Sequence, residues 1–166
     1  MIRRRHSTDE TRSVALFSDC GAYRYGLSRY WNRDAGTVLF VMLNPSTADH
    51  RRNDPTIARC ENRARAMGFG TLLIANLFGF RATLPRDLKR AQDPFGPDND
   101  ALLRRWHRTA DMTIAAWGVH GAFQGADVRG MAQFTGPLHH LGLTKAGHPR
   151  HPLYVPNARK PILWER

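Results

Sequence analysis

Three apolar runs limit what this chain can fold into. They are Thr37-Val38-Leu39-Phe40-Val41-Met42-Leu43, Thr71-Leu72-Leu73-Ile74-Ala75-Asn76-Leu77 and Asp111-Met112-Thr113-Ile114-Ala115-Ala116-Trp117. Each is short and nearly continuous, which is how a strand buried on both faces reads; such a strand needs helices to cover it. Helical signals lie between the runs. Asp54 is placed to cap a helix with Pro55 at its first position, Ile57, Cys60, Ala64 and Met67 on the buried face and Gly68 at its end; Arg52, Arg59 and Arg63 lie elsewhere. Pro85 to Ala91 reads as a short helix. Asp98 or Asn99 caps another, with Leu102, Leu103, Trp106 and Ala110 on one face. A segment from Val128 to Leu141 has helical spacing that Pro137 must break. Tyr23 to Trp31 reads as a first strand, and the Pro- and His-rich piece from Gly147 to Tyr154 as irregular. The pattern predicts a single α/β domain over residues 1–166, with a parallel or mixed sheet under helices and an irregular basic segment over residues 1–20.

The charge balance narrows the partner. Arg and Lys number 25 against 14 acidic residues, and 22 of the 25 are Arg, whose planar fork suits phosphate. A basic footprint of this kind points to nucleic acid, whereas a GC-rich genome would give the same Arg bias with no partner implied. No apolar run approaches the ~18 residues of a membrane span, and no apolar segment follows the basic N-terminus as in a secretory signal. Cys20 and Cys60 are too few for a disulfide framework or a Cys₄ cluster. These features predict a reduced, cytoplasmic protein with no metal, no cofactor, no membrane contact and no obligatory protein partner.

Special residues follow the strands. Asn44-Pro45-Ser46 comes after the first run, Asn76 ends the second, Trp117-Gly118 ends the third, and His148 and His151 sit in the Pro-rich segment. Ligands of open α/β sheets bind at that edge. Asn44 is either a water or ligand contact or ordinary turn chemistry, and Asn76 either a ligand reader or a satisfied buried amide. Asp54 reads as a helix cap and Asp49 as a weaker candidate base. No Walker loop, Gly-x-Gly-x-x-Gly or nucleophile elbow is present.

In their order these segments resemble the uracil-DNA glycosylase superfamily, its mismatch-specific and single-strand-selective branches above all. The segment Met42-Leu43-Asn44-Pro45-Ser46 stands where those proteins have Gly-x-Asn-Pro-Gly. Leu73-Ile74-Ala75-Asn76 matches their strand-ending Asn, Ala115-Ala116-Trp117-Gly118 their third strand, and Gly147 to Leu153 their His-Pro-Ser-Pro loop. Both glycines around Asn44 are replaced, and Arg150 stands in place of the serine. With NPSTAD, DPTI, NLFGFRAT, AWG and PRHPLY, the chain looks still more like a bacterial and phage domain family, itself read as a branch of that superfamily. The resemblance implies a three-layer α/β/α sandwich around a mostly parallel sheet of four to five strands.

It also implies a monofunctional DNA glycosylase that hydrolyses the N-glycosidic bond of a flipped-out base and leaves an abasic site. Asn44 would hold the water, His148 would bond the base carbonyl as charge accumulates there, and Asn76 would read the base edge. Phe78 and Phe80 would stack on the base, with Ser46 beside it. Arg150 and His151 would press on single- or double-stranded DNA, and Arg51, Arg52 and Arg81 are further DNA contacts. Small Ser46-Thr47-Ala48 and the polar loop Asp49-His50-Arg51-Arg52-Asn53 suit an enlarged pyrimidine, such as the hydroxymethylated or glucosylated bases of phages, and hence an anti-phage role. The alternatives are a non-catalytic nucleic-acid-binding module and a hydrolase of free modified nucleosides or nucleotides.

Overall fold

A computed structural model describes residues 1–165. Twelve elements follow in chain order. They are β1 (Ile2–Ser7), β2 (Arg12–Phe17), β3 (Arg24–Tyr30), β4 (Thr37–Met42), α1 (Pro55–Ala66), β5 (Thr71–Asn76), α2 (Pro85–Arg90), α3 (Asn99–Thr109), β6 (Met112–Ala115), α4 (Ala126–Met131), β7 (His139–His140) and β8 (Ile162–Leu163). The strands form one sheet in the order β1-β2-β3-β5-β4-β6-β7-β8. Only β5-β4, β4-β6 and β6-β7 run parallel, while β1-β2, β2-β3, β3-β5 and β7-β8 are antiparallel. The expected sandwich around a mostly parallel sheet of four to five strands is therefore wrong. The sheet is mixed, mostly antiparallel and eight-stranded.

The error has a physical source. The three apolar runs are β4, β5 and β6, buried on both faces as read. The added strands lack that signal: β1 is Ile-Arg-Arg-Arg-His-Ser, exposed at all but one position, and β7 and β8 are two residues each. Residues 1–20 are thus mainly a β-hairpin, not an irregular segment, because β1 finds its backbone partners on β2 rather than through apolar burial. The helical reading of Val128 to Leu141 holds only up to Met131. Val128 is exposed, and Leu138 and Leu141 are buried beyond the helix.

Alternation along the central strands makes two cores. On one face Val38, Phe40, Met42, Leu72 and Ile74 pack with Ile57, Cys60 and Ala64 of α1. On the other Leu39, Val41, Leu73 and Ala75 pack with Leu103, Ala126 and Phe134. Complete burial of a side chain such as Ile57 contributes about 1.5–3 kcal/mol. The α1 cap is as read: the Asp54 carboxylate accepts from Ile57 N–H at 2.9 Å, and Pro55 opens the helix.

Arginine does much of the interior work, contrary to its reading as surface charge. Arg63, expected away from the buried face, is 4% exposed and donates from both Nη atoms to the carbonyls of Val155, Pro156, Asn157 and Arg159. Arg59 adds bonds to the carbonyls of Leu153 and Val155. Together they fasten the chain after β7 onto α1. Arg29, also buried, grips Asn53 Oδ1 through Nε and Nη2 and so fixes the loop before α1.

Candidate functional site

A cavity of about 620 Å³ opens at the carboxyl ends of β4 and β6, beside the start of α1. That is the edge where an α/β sheet receives ligands, and the volume falls in the range of small-molecule sites. Met42, Leu43 and Asn44 leave β4 into it, and Trp117 and Gly118 leave β6. Asp54, Thr56 and Ile57 close it from α1, and Thr144, Arg150, His151 and Tyr154 from the far side. Gly118 makes the turn with φ +72, a left-handed value that suits glycine, and its N–H bonds Pro149 O at 2.8 Å. This contact ties the end of β6 to the His-Pro segment.

Asn44 is held in one orientation. Its Nδ2 donates to Ala82 O at 2.7 Å and to Pro45 O at 3.1 Å. Both amide hydrogens are used, so the carbonyl Oδ1 is the group left to accept from a water or ligand in the cavity. The loop after β5 thus sets the chemistry of the loop after β4.

The other expected site residues divide sharply. Ser46, Arg150 and His151 line the cavity with Asn44. His148 does not. It lies in a separate, smaller depression with Trp117, Val128, Met131 and Trp164. Asn76 is 1% exposed and absent from the cavity lining, and neither of its amide atoms has a hydrogen-bond partner in the structure. Phe78 is fully buried among Phe95 and Phe123, and Phe80 stands edge-on to Tyr23. None of His148, Asn76, Phe78 and Phe80 thus lines the cavity, although Phe80 lines an adjoining depression that shares Ser46, Ala82 and Thr83 with it. Arg51 and Arg52 are exposed, with their backbone N–H groups on the Asp49 carboxylate. Arg81 lies over the Phe17 ring at 5.3 Å, and Arg4 of β1 lies over the same ring at 5.3 Å. A basic surface from the hairpin therefore reaches the loop that follows the cavity wall.

Two cavity residues escape a sequence reading. Asp54, read as a helix cap, is both cap and lining residue. Arg24 also lines the cavity although it is only 1% exposed. The available signal was a pair of charges, Arg24 and Arg29, in the strand Tyr23 to Trp31. Among the described residues no three His, Cys, Asp or Glu side chains converge to hold a metal ion.

His151 accepts from Leu153 N–H at its Nδ1, 3.3 Å away, which puts the proton of the neutral ring on Nε2. Burial lowers the His151 pKa, partly offset by the Asp54 charge, and burial likewise lowers that of His140. A histidine depressed in the folded state binds protons more weakly than in the unfolded chain. Its stabilising contribution is thus present above the unfolded value of about 6.5 and is lost as pH falls below it. Urea unfolding at pH 7 and pH 5.5 is expected to show lower stability at pH 5.5, with a smaller difference in a His151→Gln/His140→Gln double variant. An unchanged difference would place the acid sensitivity in other groups.

Among the described residues no helix is long and apolar enough to cross a membrane. No curated protein and no solved structure matches the chain. One family does match, over residues 24–153, a stretch that holds β3 and every cavity residue but Tyr154, and leaves the β1–β2 hairpin outside. The chain belongs to that family, described as protein of unknown function (DUF1643).

Proposed function

We propose that this protein is a cytoplasmic, monofunctional DNA glycosylase acting on a flipped-out pyrimidine. The observation that carries the reading is Asn44, an amide that lines a nucleoside-sized cavity and whose hydrogens are pinned by two carbonyls, which leaves its oxygen as the acceptor. An acceptor so fixed orients a water without taking its proton. Asp54, in the same cavity, is the carboxylate that can take it. In the reaction the C1′–N bond breaks with its electron pair remaining on the base. The water oxygen bonds to C1′ as its proton passes to Asp54, and the base leaves as an anion that solvent protonates. The resemblance gave His148 the bond to the base; the reading now gives it to His151, whose Nε2–H is the available donor.

The cavity is larger than a bare pyrimidine ring needs, and Ser46, Thr56, Thr83 and Thr144 bring hydroxyls to its wall. This supports an enlarged, hydroxylated or glycosylated base, and with it a role against phage genomes that carry such bases. The exposed arginines of the hairpin and of the Arg51-Arg52 loop, with Arg81 and Arg150, supply the phosphate contacts.

The test is base release. Single- and double-stranded oligonucleotides carrying uracil, hydroxymethylcytosine or its glucosylated form are incubated with the protein, and abasic sites are scored by alkali cleavage. Release is expected, fastest from the enlarged base. Binding without cleavage on every substrate overturns the reading in favour of a binding module, and release from nucleosides alone in favour of a monomer hydrolase.

Arg150 is exposed at the cavity rim, its Nε bonded to Leu143 O at 3.1 Å. Arg150→Ala is expected to weaken binding to all DNA sequences alike and to lower the salt slope of log K by about 1, the signature of one lost phosphate contact. A slope unchanged from low to moderate salt would remove Arg150 from the interface.

A further inference from the structure

Arg24 is a buried, charged cavity residue whose chemistry the proposed reaction leaves unused. The β2–β3 register shifts at Leu16 and Phe17, so that Leu16 faces Gly26 while Phe17 faces Arg24. That irregularity turns Arg24 toward the α1 side of the sheet, into a buried position that still lines the cavity. It therefore lies at the inner end. Its surroundings differ from those of the other buried arginines. Arg63 spends its Nη atoms on four carbonyls, and Arg29 has the Asn53 side chain. Among the described residues Arg24 makes one hydrogen bond, from Nη1 to Ala48 O. Its buried Nε has no partner, as Arg63 Nε has none, but Arg24 lacks the four Nη bonds that compensate Arg63.

No carboxylate of the described residues forms an ion pair with it. Asp54 and Asp49 act on it at longer range, opposed by Arg81 and Arg29. Burial lowers its pKa to about 10, so the guanidinium remains charged at neutral pH. A buried cation with spare donors and no counter-ion is costly unless a ligand completes it.

We propose that Arg24 makes the inner end of the cavity a binding site for an anionic heterocyclic base, the planar, negatively charged ring that departs when a glycosidic bond breaks. The guanidinium is itself planar and presents parallel N–H groups, which match a ring oxygen and the adjacent ring nitrogen. Depth selects the base rather than the phosphate: a nucleotide entering ring-first leaves its backbone at the rim, where Arg150 lies. The assignment rests on the glycosylase reading for its place in a reaction, with Arg24 stabilising the departing pair of electrons. The binding site itself is testable without any turnover.

The probe is 5-nitrouracil, which is anionic at neutral pH, compared with neutral uracil and with inorganic phosphate. By calorimetry the protein is expected to bind the 5-nitrouracil anion at least ~10-fold more tightly than uracil, and to lose that preference when pH is lowered enough to protonate the probe. Arg24→Met is expected to bind both pyrimidines alike, while Arg24→Lys keeps part of the preference. Equal binding of anion and neutral ring by the unaltered protein overturns the site, whether or not either variant folds. So does displacement of 5-nitrouracil by phosphate at equal concentration, which would mark a phosphate site. Base release from DNA with no anion preference would sink Arg24's role and leave the glycosylase standing. Anion preference without base release would support the site and sink the glycosylase.

Discussion

Asn44→Ala is expected to slow base excision by ~10²- to 10³-fold under single-turnover conditions while DNA affinity stays within about 3-fold, the pattern of an interaction made in the transition state. The magnitude follows from how the amide is held. Its two N–H bonds to Ala82 and Pro45 fix the direction of Oδ1, so the water it positions carries little orientational freedom into the reaction. Asn44→Asp is a sharper probe than alanine. It keeps the shape but loses both N–H donors, and its charge then faces two carbonyl oxygens. A loss as large as alanine's is expected. His148→Ala, in its separate depression, is expected to fall by less than about 5-fold. The mechanism fails if Asn44→Ala excises at the native rate, and the reassignment to His151 fails if His148→Ala is the worse variant.

The second large effect is on stability. Arg63→Met is expected to cost on the order of 3 kcal/mol in urea unfolding at neutral pH, because four carbonyl groups lose a charged donor in a buried setting. Methionine keeps most of the volume, so the loss reports the bonds rather than a void. Amide exchange should rise selectively over residues 155–159, the segment that the guanidinium fastens to α1. Because His151 and Tyr154 lie just before that segment, excision should weaken as well. Arg63→Lys is expected to recover less than half of the stability, since one ammonium cannot span four carbonyls. A cost below about 0.5 kcal/mol for Arg63→Met would mean that the core alone holds the segment.

What could be read from the chain depended on whether a residue's role was set by its neighbours in sequence. The three central strands were legible because double burial demands continuous apolar runs, and α1 because Asp54, Pro55 and Gly68 act within one turn of the helix ends. Placing Asn44 at a site edge was legible on the same grounds, since the residue after a buried strand must emerge at the sheet's edge.

The hairpin was not legible. β1 is polar and held through its backbone pairing with β2, and backbone pairing leaves no mark on side-chain pattern. The two halves of the site followed the same division. The sequence by itself determined which strands build the sheet's centre and that their carboxyl ends carry polar groups. Only the tertiary structure decided which of those groups share a cavity. It buried Asn76 with neither amide atom bonded, turned His148 aside, brought His151 in beside Asp54, and through one register shift in β2–β3 carried Arg24 inward. Each of these outcomes depends on which face a side chain takes, and a strand changes face with every residue, so a single bulge or turn reverses what spacing alone would assign.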